Sequence, residues 1–241
     1  MEELQAFLRD ANLLPEDDRD VESAQVSLVN LWRQAGRLSD AMAVIESLID
    51  RRMRRLGERD PRTLNARLTR VGLLEAQGRY EESATESETL LKLRTEVLGA
   101  EHVDTLTSAQ MLSNSLLRLG KTHEALRHAE AAATGFAKRF GEAHAQTQAA
   151  LIAVAFAHEQ LDQDDQAEVI YKRLISTQRK ITTLHTESLS VRNNYAMLLH
   201  SQGRNDEAVD QLAELLPIVE RQLGRKHPYY AIFQSNFGLC L

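Results

Sequence analysis

The sequence predicts an all-α fold of stacked helix pairs, and three observations support this prediction. First, eight of the 11 glycines follow a 21-residue spacing, from Gly36 to Gly141 and again at Gly203 and Gly224. Second, every other segment between these glycines begins with acidic residues and ends with basic ones, the order that the helix macrodipole favours. Third, small and apolar residues recur at fixed distances from the glycines. Because glycine ends helices in the left-handed conformation, the spacing predicts helices of nearly equal length.

The full repeat is 42 residues long and holds two helices. Gly36, Gly78 and Gly120 mark the first three copies, while Asp162 and Gly203 stand at the equivalent positions of the fourth and fifth. The copies are predicted at 20–59, 60–101, 102–143, 144–184 and 185–226, with a partial sixth at 227–241. No copy can bury its apolar residues alone, so we expect the stack to be the folding unit.

The first helix of each copy has recognisable ends. Asp60-Pro61 and His227-Pro228 are typical starts, because aspartate caps helix N-termini and proline is tolerated at the first helical position. Histidines also occupy this start position at His102, His144 and His185. The first helix is predicted to end at the repeat glycine or at Asp162, since aspartate tolerates the left-handed region better than most residues.

The second helix of each copy carries the packing signal. A small residue follows the repeat glycine, or Asp162, by about five positions and allows close helix approach; the five are Ala41, Ser83, Ala125, Ala167 and Ala208. Apolar residues lie about twelve positions after the same point, at Leu48, Leu90, Ala132, Leu174 and Leu215. This spacing predicts an apolar stripe between neighbouring helices.

The two ends of the chain differ from the repeats. Residues 2–14 place Leu4, Phe7, Leu8 and Ala11 on one face, so residues 1–19 are predicted to be an N-terminal capping helix with an acidic connector, followed by the repeats at 20–241. Residues 227–241 are rich in apolar side chains although the end of a repeat array is normally polar. Two interpretations stay open, a longer natural chain or an oligomer contact through this apolar helix.

Composition and charge exclude several functional classes. The net charge is −6, which argues against binding to the phosphate backbone of a nucleic acid. The basic run at 51–55 is interpreted as a solvated helix end, because no aromatic residues are interleaved with it.

No run approaches the roughly 20 apolar residues of a membrane span, and the acidic N-terminus does not resemble a signal peptide. With one cysteine, Cys240, no internal disulfide can form, and we expect a cytoplasmic protein.

No catalytic or metal-binding constellation is predicted, and no cofactor is expected. The repeated histidines lie about one repeat apart, too far to share an ion at about 2.0–2.1 Å per ligand. His123 and His128 are five residues apart, whereas the zinc-protease motif needs a spacing of four. The glycines are spaced helix stops and form no phosphate-binding loop.

Several motifs resemble the tetratricopeptide repeat in its 42-residue subtype, which occurs in kinesin light chains and in bacterial signalling proteins. Residues 78–83 read Gly-Arg-Tyr-Glu-Glu-Ser, residues 98–106 read Leu-Gly-Ala-Glu-His-Val-Asp-Thr-Leu, and residues 193–196 read Asn-Asn-Tyr-Ala. The resemblance covers about 20–241 and implies a right-handed superhelical solenoid of antiparallel helix pairs. It also implies that the first helices line a concave groove that binds extended peptides.

The same resemblance places the groove-facing residues about 10, 6 and 3 positions before the repeat glycine. Asparagine amides suit this role because they both donate and accept hydrogen bonds. The predicted groove residues are Asn30, Arg33, Gln110, Asn114, Arg118, Asn193 and His200. We therefore expect a non-enzymatic scaffold that binds a protein or peptide. The alternative is a regulatory or sensory segment of a larger bacterial signalling protein, such as a kinase or a nucleotide-switch ATPase.

Overall fold

A computed structural model describes residues 19–178 and 186–241, and every regular element within these ranges is an α-helix. The helices are α1 (Arg19–Gln34), α2 (Leu38–Leu56), α3 (Pro61–Ala76), α4 (Tyr80–Leu98), α5 (Val103–Arg118), α6 (Thr122–Phe140), α7 (Ala145–Glu159), α8 (Asp164–Gln178), α9 (Thr186–Ser201), α10 (Asn205–Leu223) and α11 (Pro228–Cys240). The all-α prediction is confirmed. The predicted N-terminal helix at 2–14, its connector and His185 lie outside the described residues.

The odd-numbered helices are the first helices of the predicted copies, and the even-numbered ones are the second helices. The chain divides into two compact units, one ending at Lys121 and containing α1–α5, the other beginning at Thr122 and containing α6–α11. In the first unit each helix packs against the next, and α3 also contacts α1 and α5. In the second unit packing is again sequential, and α9 also contacts α7 and α11. Within each unit the first helices therefore lie side by side.

The turns between first and second helices share one hydrogen-bond pattern. The Arg37 N–H donates to the Trp32 carbonyl at 2.8 Å, and the Arg79 N–H donates to the Leu74 carbonyl at 2.9 Å. A bond back over five residues is the Schellman termination, which places the residue before the donor in the left-handed region. Asp162 fills that place in the fourth copy with φ +56°, and it alone among the described non-glycine residues has a positive φ. The predicted helix stop is confirmed.

The turns from one copy to the next use glycine differently. Gly57 has φ +85° and ψ 170°, and Gly99 has φ +88° and ψ 160°. This extended region with positive φ is essentially restricted to glycine. The two sets of regularly spaced glycines therefore perform different conformational tasks, although the sequence presents them as one series.

The histidines at first-helix starts act as caps. The Nδ1 atoms of His102, His144 and His227 each accept the backbone N–H two residues later, at 3.2–3.3 Å. The carboxylate of Asp60 accepts the Arg62 N–H in the same way at 2.8 Å. These bonds pair an N–H group that has no partner within its own helix, so the predicted helix starts at these four residues are confirmed.

The predicted packing positions are buried. All five small residues of the second helices have no exposed surface, and the five residues about twelve positions after the repeat glycine are at most 1% exposed. Small side chains at the first set let the helix backbones approach each other, and larger ones at the second fill the space between them. The apolar stripe predicted from spacing is thus the core of both units.

Two arginines, one half-buried and one fully buried, connect consecutive copies in the first unit. Arg52 on α2 donates Nη1 to the carbonyl of Arg62 at 2.7 Å, and Arg94 on α4 donates Nη1 to the carbonyl of Asp104 at 2.9 Å. Arg94 also donates Nη2 to Asn65 Oδ1 at 2.6 Å. Burial lowers the pKa of the Arg94 guanidinium because it disfavours the charged form. The charged side chain therefore needs these hydrogen-bond acceptors to remain buried.

Helix α11 is the first helix of the partial sixth copy and exposes apolar side chains. Ile232 is 48% exposed and Leu239 is 59% exposed, whereas Phe233 and Cys240 are buried against the rest of the unit. The apolar character predicted for this end is present on the surface. No helix of the described ranges is both long enough and apolar enough to cross a membrane.

Candidate functional site

The predicted groove residues all lie on the first helices of their copies, and five of the seven belong to the first unit. Asn30 and Arg33 stand one turn apart on α1, and Gln110, Asn114 and Arg118 stand at successive four-residue spacings on α5. Residues three or four apart share one face of a helix. Each of the two helices therefore presents its predicted residues along one line.

The three amides of the first unit are accessible. Asn30 is exposed, while Gln110 and Asn114 are half-buried. None of the three side chains forms a hydrogen bond within ranges 19–178 and 186–241. An amide without a protein partner retains both its donors and its acceptor for water or for a ligand.

A charged row crosses the first helices of the first unit; we use this name for Arg33 on α1, Glu75 on α3 and Arg118 on α5. Glu75 interacts electrostatically with both arginines. Its Oε1 accepts a hydrogen bond from the Ser115 hydroxyl at 3.0 Å, and the Ser115 oxygen lies 2.8 Å from the Ser83 oxygen. Burial raises the pKa of Glu75, while Ser115, Arg118 and Arg33 oppose that effect. Glu75 lies three positions before Gly78, which is one of the groove-facing offsets, but it was not among the predicted groove residues.

In the second unit, Asn193 already has a partner. Its Oδ1 accepts a hydrogen bond from Nδ2 of Asn236 on α11 at 2.7 Å, and the Asn193 side chain is largely buried. The other predicted residue, His200, bonds through Nδ1 to Oδ1 of Asn205 at 2.9 Å, across the turn that follows α9. These contacts leave the two side chains less free than the amides of the first unit. Asn236 was missed because its partner is 43 residues away in the chain.

Glu159 is the residue of the second unit that corresponds to Glu75 in the repeat. Burial raises its pKa, and it accepts a hydrogen bond from the hydroxyl of Tyr171. Tyr171 is fully buried, and its own pKa is raised by burial and by the neighbouring carboxylate. Asn194 also hydrogen bonds to this hydroxyl. The Glu159 carboxylate is thus hydrogen bonded to a buried side chain of its own unit.

The basic run contributes to helix packing. Arg51 donates to Gln25 Oε1 at 2.5 Å, and Arg52 donates to Glu22 Oε2 at 2.8 Å. Two of its four arginines therefore connect α2 to α1 and are half-buried, so the interpretation as a solvated helix end fits only the exposed Arg54 and Arg55. No group of three or more His, Cys, Asp or Glu residues in the described part of the chain could hold a metal ion.

A cavity of about 360 Å³ opens between α2 and α4, over Leu74 of α3. Its arginines are paired with its own carboxylates, Arg70 with Glu86 at 2.7 Å and Arg79 with Glu82 at 2.6 Å. Both arginines of the lining are thus already paired, and Glu46 and Glu81 leave it with an excess of negative charge.

Comparisons with known proteins agree with this architecture. Residues 62–138 and 187–241 match the family model described as tetratricopeptide repeat. No curated protein matches the chain.

Solved structures share the fold at low sequence identity. A Podosopora anserina protein described as a kinesin light chain with nearly identical TPR-like repeats superposes with a TM-score of 0.71 at 19% identity, covering 83% of this chain and 96% of that one. BtubC (BKLC) of P. vanneervenii gives 0.69 at 20% identity, covering 84% and 82%. The signal transduction ATPase with a tetratricopeptide repeat sensor from Pyrococcus horikoshii gives 0.68 at 13% identity, covering 98% of this chain but 35% of that one.

Proposed function

Because the chain belongs to the tetratricopeptide repeat family, whose members typically hold other proteins, we propose that it is a non-enzymatic scaffold that binds a peptide or protein segment. The binding site is the face of the first helices. The residues assigned to it are Asn30, Arg33, Gln110, Asn114, Arg118, Asn193 and His200.

The observation that carries this proposal is the accessible set of amides in the first unit. Asn30, Gln110 and Asn114 have no hydrogen-bond partner within the described ranges, and Arg33 and Arg118 are exposed on the same two helices. An extended peptide presents one N–H and one C=O per residue, which amide side chains match. The first unit therefore contributes more to binding in this proposal than Asn193 and His200.

Site-specific photocrosslinking tests the location of the site. A benzoylphenylalanine at Asn30, which is exposed, should crosslink to the partner in the native cell. The same probe at Glu88, an exposed residue of the second helix α4, is the matched control and should give no adduct. Mass spectrometry of the adduct then identifies the bound segment.

The identified segment allows a quantitative test. Replacing Gln110 and Asn114 with Ala should weaken binding about tenfold, because each lost hydrogen bond contributes about 0.5–1.5 kcal/mol. Circular dichroism of the double variant checks that helicity is unchanged. Adducts formed equally at Glu88, or an unchanged affinity, would place binding on another surface.

A second candidate function is the regulatory or sensory segment of a larger signalling protein. The likeness to a tetratricopeptide repeat sensor within an ATPase favours it, because almost the whole of this chain is covered while only part of that chain is. An antibody against this chain distinguishes the two candidates. A native protein clearly larger than 27.2 kDa would support the sensor, and one of that mass would support the free scaffold.

A further inference from the structure

We propose that the charged row of the first unit selects a polyproline II segment carrying an acidic, a basic and an acidic residue, each three positions from the next. This inference rests on the proposed binding face and adds the chemistry of its ligand. It follows from the order of charges along the row, from their availability and from the spacing of packed helices.

The order of charges is positive, negative, positive. Arg33 and Arg118 are exposed, and neither guanidinium has a hydrogen bond or ion pair within the described part of the chain; each interacts with Glu75 only through its charge. The end of Arg33 lies above α3, since its Nη1 is 3.9 Å from the place a Cβ would take at Gly72. The absence of a side chain there leaves room for the guanidinium and for a ligand beside it.

The central carboxylate is held in place but keeps capacity for a ligand. One hydrogen bond from Ser115 fixes Oε1 of Glu75, and Ser115 and Ser83 are themselves fully buried. A carboxylate has about four acceptor sites, so an ammonium or guanidinium group can still pair with it. A basic ligand residue at Glu75 would also offset the burial that raises the pKa of this group.

The spacing of the row fits one backbone conformation. Packed helices lie about 8–10 Å apart, and a polyproline II helix advances about 9 Å in each three-residue turn. Residues at positions 1, 4 and 7 of such a segment lie on the same side and reach consecutive first helices. In a β-strand, residues three apart point to opposite sides, so an extended strand would not present all three charges.

The charge order also predicts what is rejected. A uniformly acidic segment places a carboxylate against Glu75, and a uniformly basic one meets two arginines. A segment with the inverted order, basic at 1 and 7 and acidic at 4, meets a like charge at every position.

Three synthetic peptides test the inference with the full chain. The matched peptide is Glu-Pro-Ala-Lys-Pro-Ala-Glu, the scrambled one is Lys-Pro-Ala-Glu-Pro-Ala-Glu with the same composition, and the inverted one is Lys-Pro-Ala-Glu-Pro-Ala-Lys. NMR shift titration of the Gly72 amide, at low salt and up to millimolar peptide, gives the affinities. The matched peptide should bind about fivefold tighter than the scrambled peptide and at least tenfold tighter than the inverted one, a difference that falls as salt rises.

Two variants check the assignment. Arg33→Gln combined with Arg118→Gln alters only exposed side chains and should reduce the preference to the part that Glu75 alone provides, without changing helicity. Gln222→Ala, at an exposed position of α10, is the control and should preserve it. Equal binding of the three peptides, or a preference of unchanged size in the double variant, overturns the inference.

The inference and the proposed function fail in different ways. If the segment crosslinked at Asn30 depends on Gln110 and Asn114 but lacks the charge pattern, the inference is overturned and the binding face stands. If no adduct forms at Asn30 and no peptide binds, both are overturned.

Discussion

Replacing Asp162 with Gly should stabilise the protein. Asp162 is held at φ +56° where the equivalent residues of the other described copies are glycines with φ near +72°. Its side chain forms no hydrogen bond within the described ranges, so the substitution removes no polar contact. The backbone conformation should decide the result.

The expected magnitude is the difference of two effects. An L-residue in the left-handed region is less stable by about 1–2 kcal/mol, with aspartate at the low end. Glycine makes the unfolded chain more flexible, and the larger entropy loss on folding offsets about 0.4–1 kcal/mol of that gain. Asp162→Gly should therefore gain about 0.5 kcal/mol, whereas Asp162→Ala should lose a similar amount because alanine lacks the tolerance of aspartate. The two variants should differ in Tm by about 3 °C.

Thermal unfolding followed by circular dichroism ranks the stability of the wild type, Asp162→Gly and Asp162→Ala. Because a repeat array can open locally, hydrogen exchange of amides in α7 and α8 should report the same order. Asp165→Gly, inside the first turn of α8, is the control and should destabilise by up to about 1 kcal/mol. An alanine variant as stable as the glycine variant would refute the reasoning.

Three further predictions concern caps, pH and buried charge. His102→Ala should destabilise by about 1 kcal/mol because the cap at the start of α5 is lost, while His102→Asp should keep it; identical melting of both variants would contradict this. The pKa of Glu168 is lowered to about 2, chiefly by its hydrogen bond with Arg204, from a reference value of 4.5. Because the folded value lies below the reference value, its contribution is complete above pH 4.5 and is lost as the pH falls towards 2. Urea midpoints should therefore fall less between pH 7 and pH 3 in Glu168→Gln than in the wild type, and equal falls would refute the assignment. Arg94→Ala should cost about 2–5 kcal/mol because it leaves a cavity and removes the hydrogen bond donated to the buried Ser108 hydroxyl; Arg94→Met should cost less, and equal urea midpoints for both would show that volume is irrelevant.

The fold could be predicted because its determinants are local and periodic. A glycine that ends a helix, a histidine or aspartate that caps one, and a small residue such as Ala41 at a close approach each act through neighbouring residues. Repetition at 42 residues then multiplies a weak local signal. Asp162 shows the strength of this reasoning, since its position in the series predicted the left-handed conformation that the structure shows.

The candidate site was less accessible to sequence analysis. The bonds between Ser115 and Glu75, and between Asn193 and Asn236, join residues 40 and 43 positions apart. They depend on side-chain direction between packed helices, which periodicity does not specify. For the same reason the sequence could not show that Asn193 is engaged while Asn114 is open. The binding roles of both remain predictions.

The spacing of Arg52 and Arg94, which occupy equivalent positions of consecutive copies, determines which changes of gene length this part of the fold can accommodate. The two donors are 42 residues apart, and so are their carbonyl acceptors, Arg62 and Asp104. Loss of residues 53–94 would therefore bring the carbonyl of Asp104 to the tenth position after Arg52, where its acceptor already lies. A deletion or duplication of one whole period keeps a carbonyl acceptor ten positions after the arginine, whereas loss of part of a period at this junction changes that spacing. Unequal recombination can thus add or remove copies in this part of the chain while the junction remains chemically complete.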